Sequence, residues 1–303
     1  MTQRQLGGIS IDRVIESNSP DFDPYEFFRE TSEADWAPHL EWLQPRAMDP
    51  VSGNLIFPMQ SYVVRTAHHT ILVDACVGNH KDRPGRDNWH QTTGTQYMDG
   101  LAAVGLTPED IDYVMCTHMH TDHVGWNTKL LDGRWVPTFP NAKYVFSQKE
   151  YDYWEDLNTR TPLPHLIDSV LPIVEAGRAM MVTNDFALDD EVWLEPTPGH
   201  TPDHLSIRLS SNGADAVMSG DLMHCPVQCR HQNGPHGRTT IPIRRPKPVA
   251  PSWRLIVKPM FWFAQRISPC LRRGDLSGMA MFSISNTIHR TGRGANRFQS
   301  RQW

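Results

Sequence analysis

Residues 116–125 read Cys-Thr-His-Met-His-Thr-Asp-His-Val-Gly, and within them His118, His120, Asp122 and His123 set three imidazoles and a carboxylate into six consecutive positions. An apolar run, residues 111–116, comes just before and reads as a buried strand. Side chains two apart in extended chain point the same way, so His118 and His120 can close on one ion as that strand ends. Where the chain then turns, Asp122 and His123 can reach a second. Imidazole and carboxylate without clustered thiolates suit Zn²⁺, and after it Mn²⁺, Fe or Co. A lone histidine here would read as part of a solvated loop, but four ligand-type side chains at this spacing read as a metal site.

Three other stretches end in residues of the same kind. Thr197-Pro198-Gly199-His200-Thr201-Pro202 is a Gly-containing turn after a predicted strand at 191–195, Ser219-Gly220-Asp221 closes a predicted strand at 216–219, and Thr70-Ile71-Leu72-Val73-Asp74 closes an earlier one. Taken singly, His200 is an ordinary turn histidine and Asp221 an N-cap. Taken in order with the H-x-H-x-D-H motif, over about residues 50–231, they make the chain resemble the metallo-β-lactamase-fold hydrolases, among them glyoxalase II, acyl-homoserine lactonases, phosphotriesterase-like enzymes and the β-lactamases.

That resemblance implies an α+β (mixed α/β) chain folded as a four-layer αβ/βα sandwich, with its C-terminal part incomplete. It implies two Zn²⁺ ions, with Mn, Fe or Co as alternatives: His118, His120 and His200 on the first, Asp122 and His123 on the second, Asp221 between them, and Asp74 supporting the ligand loop from behind. A bridging hydroxide would attack a small ester or lactone, with Asp122 as proton acceptor. Lactones lead because Ser219-Gly220-Asp221 supplies an Asp where β-lactamases commonly use a Cys. Phosphotriester or thioester hydrolysis is the alternative within the enzymes. Outside them stand a metal-binding protein impaired in catalysis and a nucleic-acid binder acting through a basic tail.

The family's last ligand, a His after a late strand, has no counterpart among the strands read after Asp221, which leaves the second ion one donor short. His236 or His289 could supply it by accident, but neither follows a predicted strand.

Composition sets the outer bounds. At 303 residues the chain is long enough for one large domain or two small ones. No apolar run reaches the roughly 18–20 residues of a membrane span, and the N-terminus lacks the apolar core of a secretory signal. Five cysteines, odd in number and scattered, fit a reducing, cytoplasmic setting rather than a disulfide framework. Cys225 and Cys229 are read as loop or core thiols rather than a metal pair. A homodimer is left open.

In chain order, the alternation over 7–16 predicts a first strand, and Asp23-Pro24 an N-capped short helix. Residues 36–50 read as irregular, either a wall of the substrate site or a packed surface loop. Strands are expected at 55–57, 61–66 and 70–73, a loop over 79–94, and a helix over 97–104. Asp132-Gly133 marks a hairpin. Beyond it come a strand at 143–146, a helix at 147–157, a helix at 163–176, and strands at 179–183, 192–194, 205–209 and 216–219. Tyr151, Tyr153 and Trp154 read as core more readily than as pocket lining.

The overall net charge of −5 hides a division. Residues 1–231 hold 16 Lys and Arg against 33 Asp and Glu, whereas residues 232–303 hold 13 against a single acid, Asp275. Residues 1–231 therefore read as the hydrolase domain and 232–303 as a basic, Pro- and Arg-rich tail, poorly ordered and out of frame. Taking the last base of each codon with the first two of the next, Met260-Phe261-Trp262-Phe263 forces Val-Leu-Val whatever codons are used. The neighbouring junctions permit a strand running into Thr-His-Phe-Pro, the kind of segment that carries the family's last ligand. Basic charge confined to this tail counts against nucleic-acid binding by the domain.

Overall fold

The computed structural model describes residues 3–229 and 253–256. Its strands run β1 (Arg4–Leu6), β2 (Ile9–Ser17), β3 (Met59–Arg65), β4 (Thr70–Val73), β5 (Tyr113–Met115), β6 (Thr128–Leu131), β7 (Arg134–Pro137), β8 (Lys143–Ser147), β9 (Ala179–Val182), β10 (Val192–Pro196), β11 (Leu205–Ser211), β12 (Ala214–Met218) and β13 (Trp253–Ile256). A seven-stranded sheet has the order β1-β2-β3-β4-β5-β8-β9, a four-stranded sheet the order β10-β11-β12-β13, and β6 and β7 form the hairpin expected at Asp132-Gly133. In the large sheet β1 to β4 pair antiparallel, while β4, β5, β8 and β9 run parallel. This is the mixed α/β fold the resemblance implies.

Alternation along the strands decides which layer each side chain joins. Val63, Leu72 and Val114 face an outer cluster with Tyr97, Leu101, Leu166, Val170 and Ile173 from the helical segments. Their neighbours Val64, Ile71, Val73 and Met115 face the other way, onto Leu194, Leu205, Ile207, Leu209, Ala216 and Met218 of the small sheet. β4 is apolar at both parities because it is covered on both faces. Each fully buried aliphatic side chain stabilises the sandwich by roughly 1.5–3 kcal/mol.

Strand ends position the site. Val73 pairs with Met115 at the carboxyl ends of two parallel neighbours, so Asp74 and residues 116–123 leave the sheet side by side. Ligand sites in open α/β sheets form at such carboxyl ends. On the small sheet, β10 runs into the turn bearing His200, and β12 ends next to Asp221.

The structure departs from the sequence expectations in five places. The first strand is a hairpin, β1 and β2. Residues 55–57 form only isolated bridges, from Leu55 to Phe22 and Met48. The irregular stretch 36–50 begins in helical turns, Glu33–Trp36, Ala37–His39 and Leu40–Leu43, and buries Trp36, Leu43, Ala47 and Met48 in a third cluster with Phe57 and Trp89. The helix over 163–176 divides into Pro164–Ser169 and Leu171–Glu175. Pro172 lacks the N–H that a continuous helix would send to the Asp168 carbonyl, and that carbonyl instead accepts from Lys81 Nζ at 3.0 Å and from Thr128 Oγ1. Finally, a strand does follow Asp221: β13 pairs parallel with β12. The rest of the basic tail, with His236, His289 and the residues read as out of frame, lies outside the described residues.

Candidate metal centre

Beyond β5 the Thr117 backbone N–H donates to Asp74 Oδ1 at 2.8 Å, and its hydroxyl lies 3.0 and 3.1 Å from the two Asp74 oxygens. This fixes the start of the His/Asp segment. His118 Nε2 and His120 Nδ1 then stand 3.0 Å apart, the closure that a two-residue spacing predicts. His120 caps a short helix, Thr121–Val124, which carries Asp122 and His123. Gly125 is required immediately after it: a Cβ there would lie 1.8 Å from the Val77 carbonyl oxygen.

His123 Nδ1 sits 2.9 Å from Asp74 Oδ2. With its proton on Nδ1 and shared with that carboxylate, the ring turns its Nε2 lone pair toward the centre, the arrangement in which an outer carboxylate sets the tautomer of a ligating histidine.

The small sheet delivers the other half. Asp221 Oδ2 stands 3.3 Å from His123 Nε2, 3.3 Å from His224 Nε2, 3.5 Å from His200 Nε2 and 4.0 Å from His118 Nε2. Four imidazoles from three segments therefore converge on one carboxylate oxygen. Among the described residues, three groups bring their donor atoms within 4.8 Å of one another: His118, His120 and His200; His118, His123 and Asp221; and His200, Asp221 and His224. The first is the trio expected for one ion. Asp122 joins none of them, although its Oδ2 lies 3.5 Å from His123 Nε2.

Electrostatics keep these donors available. Burial, reinforced by neighbouring imidazoles, pushes His118 and His120 well below the usual histidine range, and burial lowers His200 to about 4. Each ring is neutral near pH 7, as a ligand must be. Burial alone would raise the Asp221 carboxyl, but the His123 and His224 rings beside it reverse this and hold it well below the carboxylate range.

Three residues of this environment carry no motif in the sequence. His224 is one; its only signal is its place three residues after Asp221. His204 is another, four residues after His200. Its Nε2 accepts the Asp221 backbone N–H at 3.1 Å, so the proton sits on Nδ1 and is shared with Thr197 Oγ1 at 2.8 Å. Gly220 packs so closely here, at φ +52°, that a Cβ would come within 2.7 Å of His204 Nε2. Burial lowers His204 to about 3, which keeps it neutral for this role.

The third is Glu150, which ties the two halves together. Oε1 accepts the Met119 N–H, between His118 and His120, at 3.4 Å and the Trp154 indole N–H at 2.8 Å; Oε2 accepts the Asp203 N–H at 3.0 Å. Trp154 meets His120 edge-on at 5.4 Å while packing on the outer cluster, so it is both core and site wall. Tyr151 is core. Cys225 is a buried thiol in the third cluster, as its sequence context suggests.

Residues 57–228 match the family model of the Metallo-beta-lactamase superfamily, and the chain belongs to that family. Within it the chain is 25% identical over 182 residues to the N-acyl homoserine lactonase of Bacillus cereus, and 24% identical over 169 residues to the uncharacterised protein YobT of Bacillus subtilis. These alignments take in 55% of this chain and 64% and 62% of the relatives, so the chain spans less than two thirds of their length. Among solved structures it has the fold of a probable metal-dependent hydrolase from Staphylococcus aureus, with a TM-score of 0.59, 24% identity, and 72% of this chain and 75% of that one covered. It likewise has the fold of AidC, a dizinc quorum-quenching lactonase, with a TM-score of 0.53, 20% identity and 74% of each chain covered. Among the described residues no helix is long and apolar enough to cross a membrane.

Proposed function

We propose that this chain is a metal-dependent hydrolase of small ester or lactone substrates, of the acyl-homoserine-lactone kind. The observation that carries the reading is the convergence of His118, His123, His200 and His224 on Asp221 Oδ2 at 3.3–4.0 Å. Imidazoles around a carboxylate are a donor set for Zn²⁺. His118, His120 and His200 would hold one ion, and His123 with Asp122 would hold a second, with Asp221 shared. Such ions supply Lewis-acid polarisation of a carbonyl and an acidified water.

The chain's own residues supply the rest. Asp74 and His204 orient His123 and Asp221, and Glu150 keeps the two ligand turns in register. Asp122, 3.5 Å from His123 Nε2, would take a proton. Phe27 lies edge-on to His224 at 5.2 Å, with Phe57 at 6.4 Å, so apolar rings adjoin the cluster, in keeping with a substrate that carries an acyl chain. The test is hydrolysis of an aryl ester and of an acyl-homoserine lactone by zinc-loaded protein, before and after chelation. Chelation should abolish turnover and zinc restore it, whereas turnover indifferent to chelator would refute the reading.

A further inference from the structure

The third donor group joins two motif residues, His200 and Asp221, to one ring that no sequence motif marks. Its ring comes from His224, on a segment anchored from below: the His224 and Cys225 backbone N–H groups both donate to Gln228 Oε1, at 2.7 and 2.8 Å, and Cys225 and Val227 are buried. Phe27 and Phe57 pack beside the ring while its Nε2 meets the carboxylate. Tetrahedral Zn²⁺ with bonds of about 2.0–2.1 Å separates its ligand atoms by roughly 3.3 Å. The His224–Asp221 and His200–Asp221 separations, 3.3 and 3.5 Å, already have that spacing.

Accessibility sets this group apart. The side chains of His118 and His123 are 0% exposed, against 12% for Asp221, 19% for His224 and 24% for His200. An imidazole nitrogen has one lone pair and serves one ion at a time, while a carboxylate can serve two. His200 is thus the donor that the inner and outer groups compete for, and Asp221 the one they share.

We propose that His224 is a metal ligand of this chain, holding a divalent ion with Asp221 and His200 at the solvent-facing edge of the cluster. Three protein donors leave one position open, as catalytic sites do. The proposal rests on the metal centre proposed above.

The test is a titration of the full chain, stripped of metal, with Co²⁺ followed by its visible absorption and with Zn²⁺ by calorimetry, for wild type, His224→Ala and His224→Gln. The weakest binding step should weaken by about ten-fold or more, or vanish, in both variants, and its Co²⁺ spectrum should change. The tighter steps should stay as in wild type. Should His224→Ala fail to fold, His224→Gln, which keeps the bulk of the side chain, decides the question. Variant titrations superimposable on wild type would overturn the His224 assignment alone, whereas a wild-type chain that binds no divalent ion would overturn the metal centre as well.

Discussion

On the seven-stranded sheet, His118, His120, Asp122 and His123 come from one short segment at the end of β5, and their support, Asp74, ends the adjacent strand. On the four-stranded sheet, His200, Asp221 and His224 come from two separate turns, and their relation to one another depends on His204 and Gly220. The first half is positioned by covalent spacing on a buried parallel edge, the second by hydrogen bonds between turns. Damage to the first should therefore remove donors outright, while damage to the second should loosen donors that remain.

The largest effect is expected at His118, which belongs to two of the three donor groups. His118→Ala should lose bound metal and lower hydrolysis by at least about 10²–10³-fold, the scale on which one charge-stabilising group acts; metal analysis and an ester assay on the same sample read both. Asp74→Ala comes next. It releases His123 and Thr117 together and should weaken metal binding by about 10–100-fold, measured by competition with a chelating dye. On the other half, His204→Ala should fall at the low end of that range, because Asp221 remains present but loses its backbone anchor. Glu150→Gln should lie near it, since the amide keeps one acceptor but cannot receive all three N–H groups. If His204→Ala cost more than His118→Ala, the contrast between the halves would be wrong.

The smallest effect concerns pH in the metal-free protein. Burial lowers His165 to about 4 and His204 to about 3, against about 6.5 in the unfolded chain. Below pH 6.5 the unfolded state binds protons that the folded state refuses, so stability falls as pH drops from 6.5 toward 4 for His165 and on toward 3 for His204. The melting temperature should decline by a few degrees per pH unit over that window. His165→Gln should flatten the decline above pH 4; an unchanged slope would show that His165 does not carry it.

The same contrast explains what the sequence makes legible. His118 to His123 can be read because strand spacing and ligand type coincide in six residues, and Asp74, His200 and Asp221 only through their order around that motif, which is what the family resemblance rests on. His204, Glu150 and His224 cannot. A histidine in a turn or a glutamate on a helix acquires its role only from the partner opposite, and those partners lie 17 residues away for His204 and Asp221, and 31 and 53 away for Glu150 with Met119 and Asp203. The strand β13 is hidden in a Pro-rich, acid-free stretch whose neighbours give it no alternation to follow. The split helix is foreshadowed by Pro172, but the Lys81 and Thr128 donors that stabilise the break come from distant segments.

The central claim, that Asp221 is the common carboxylate of a metal centre, is tested most directly by metal content and affinity in Asp221→Ala and Asp221→Asn beside wild type. Wild type should retain divalent metal through dialysis. Both variants should lose at least one bound ion per chain and bind the remainder about 10–100-fold more weakly, with ester hydrolysis falling in parallel. Wild-type metal content and turnover in Asp221→Ala would contradict the account.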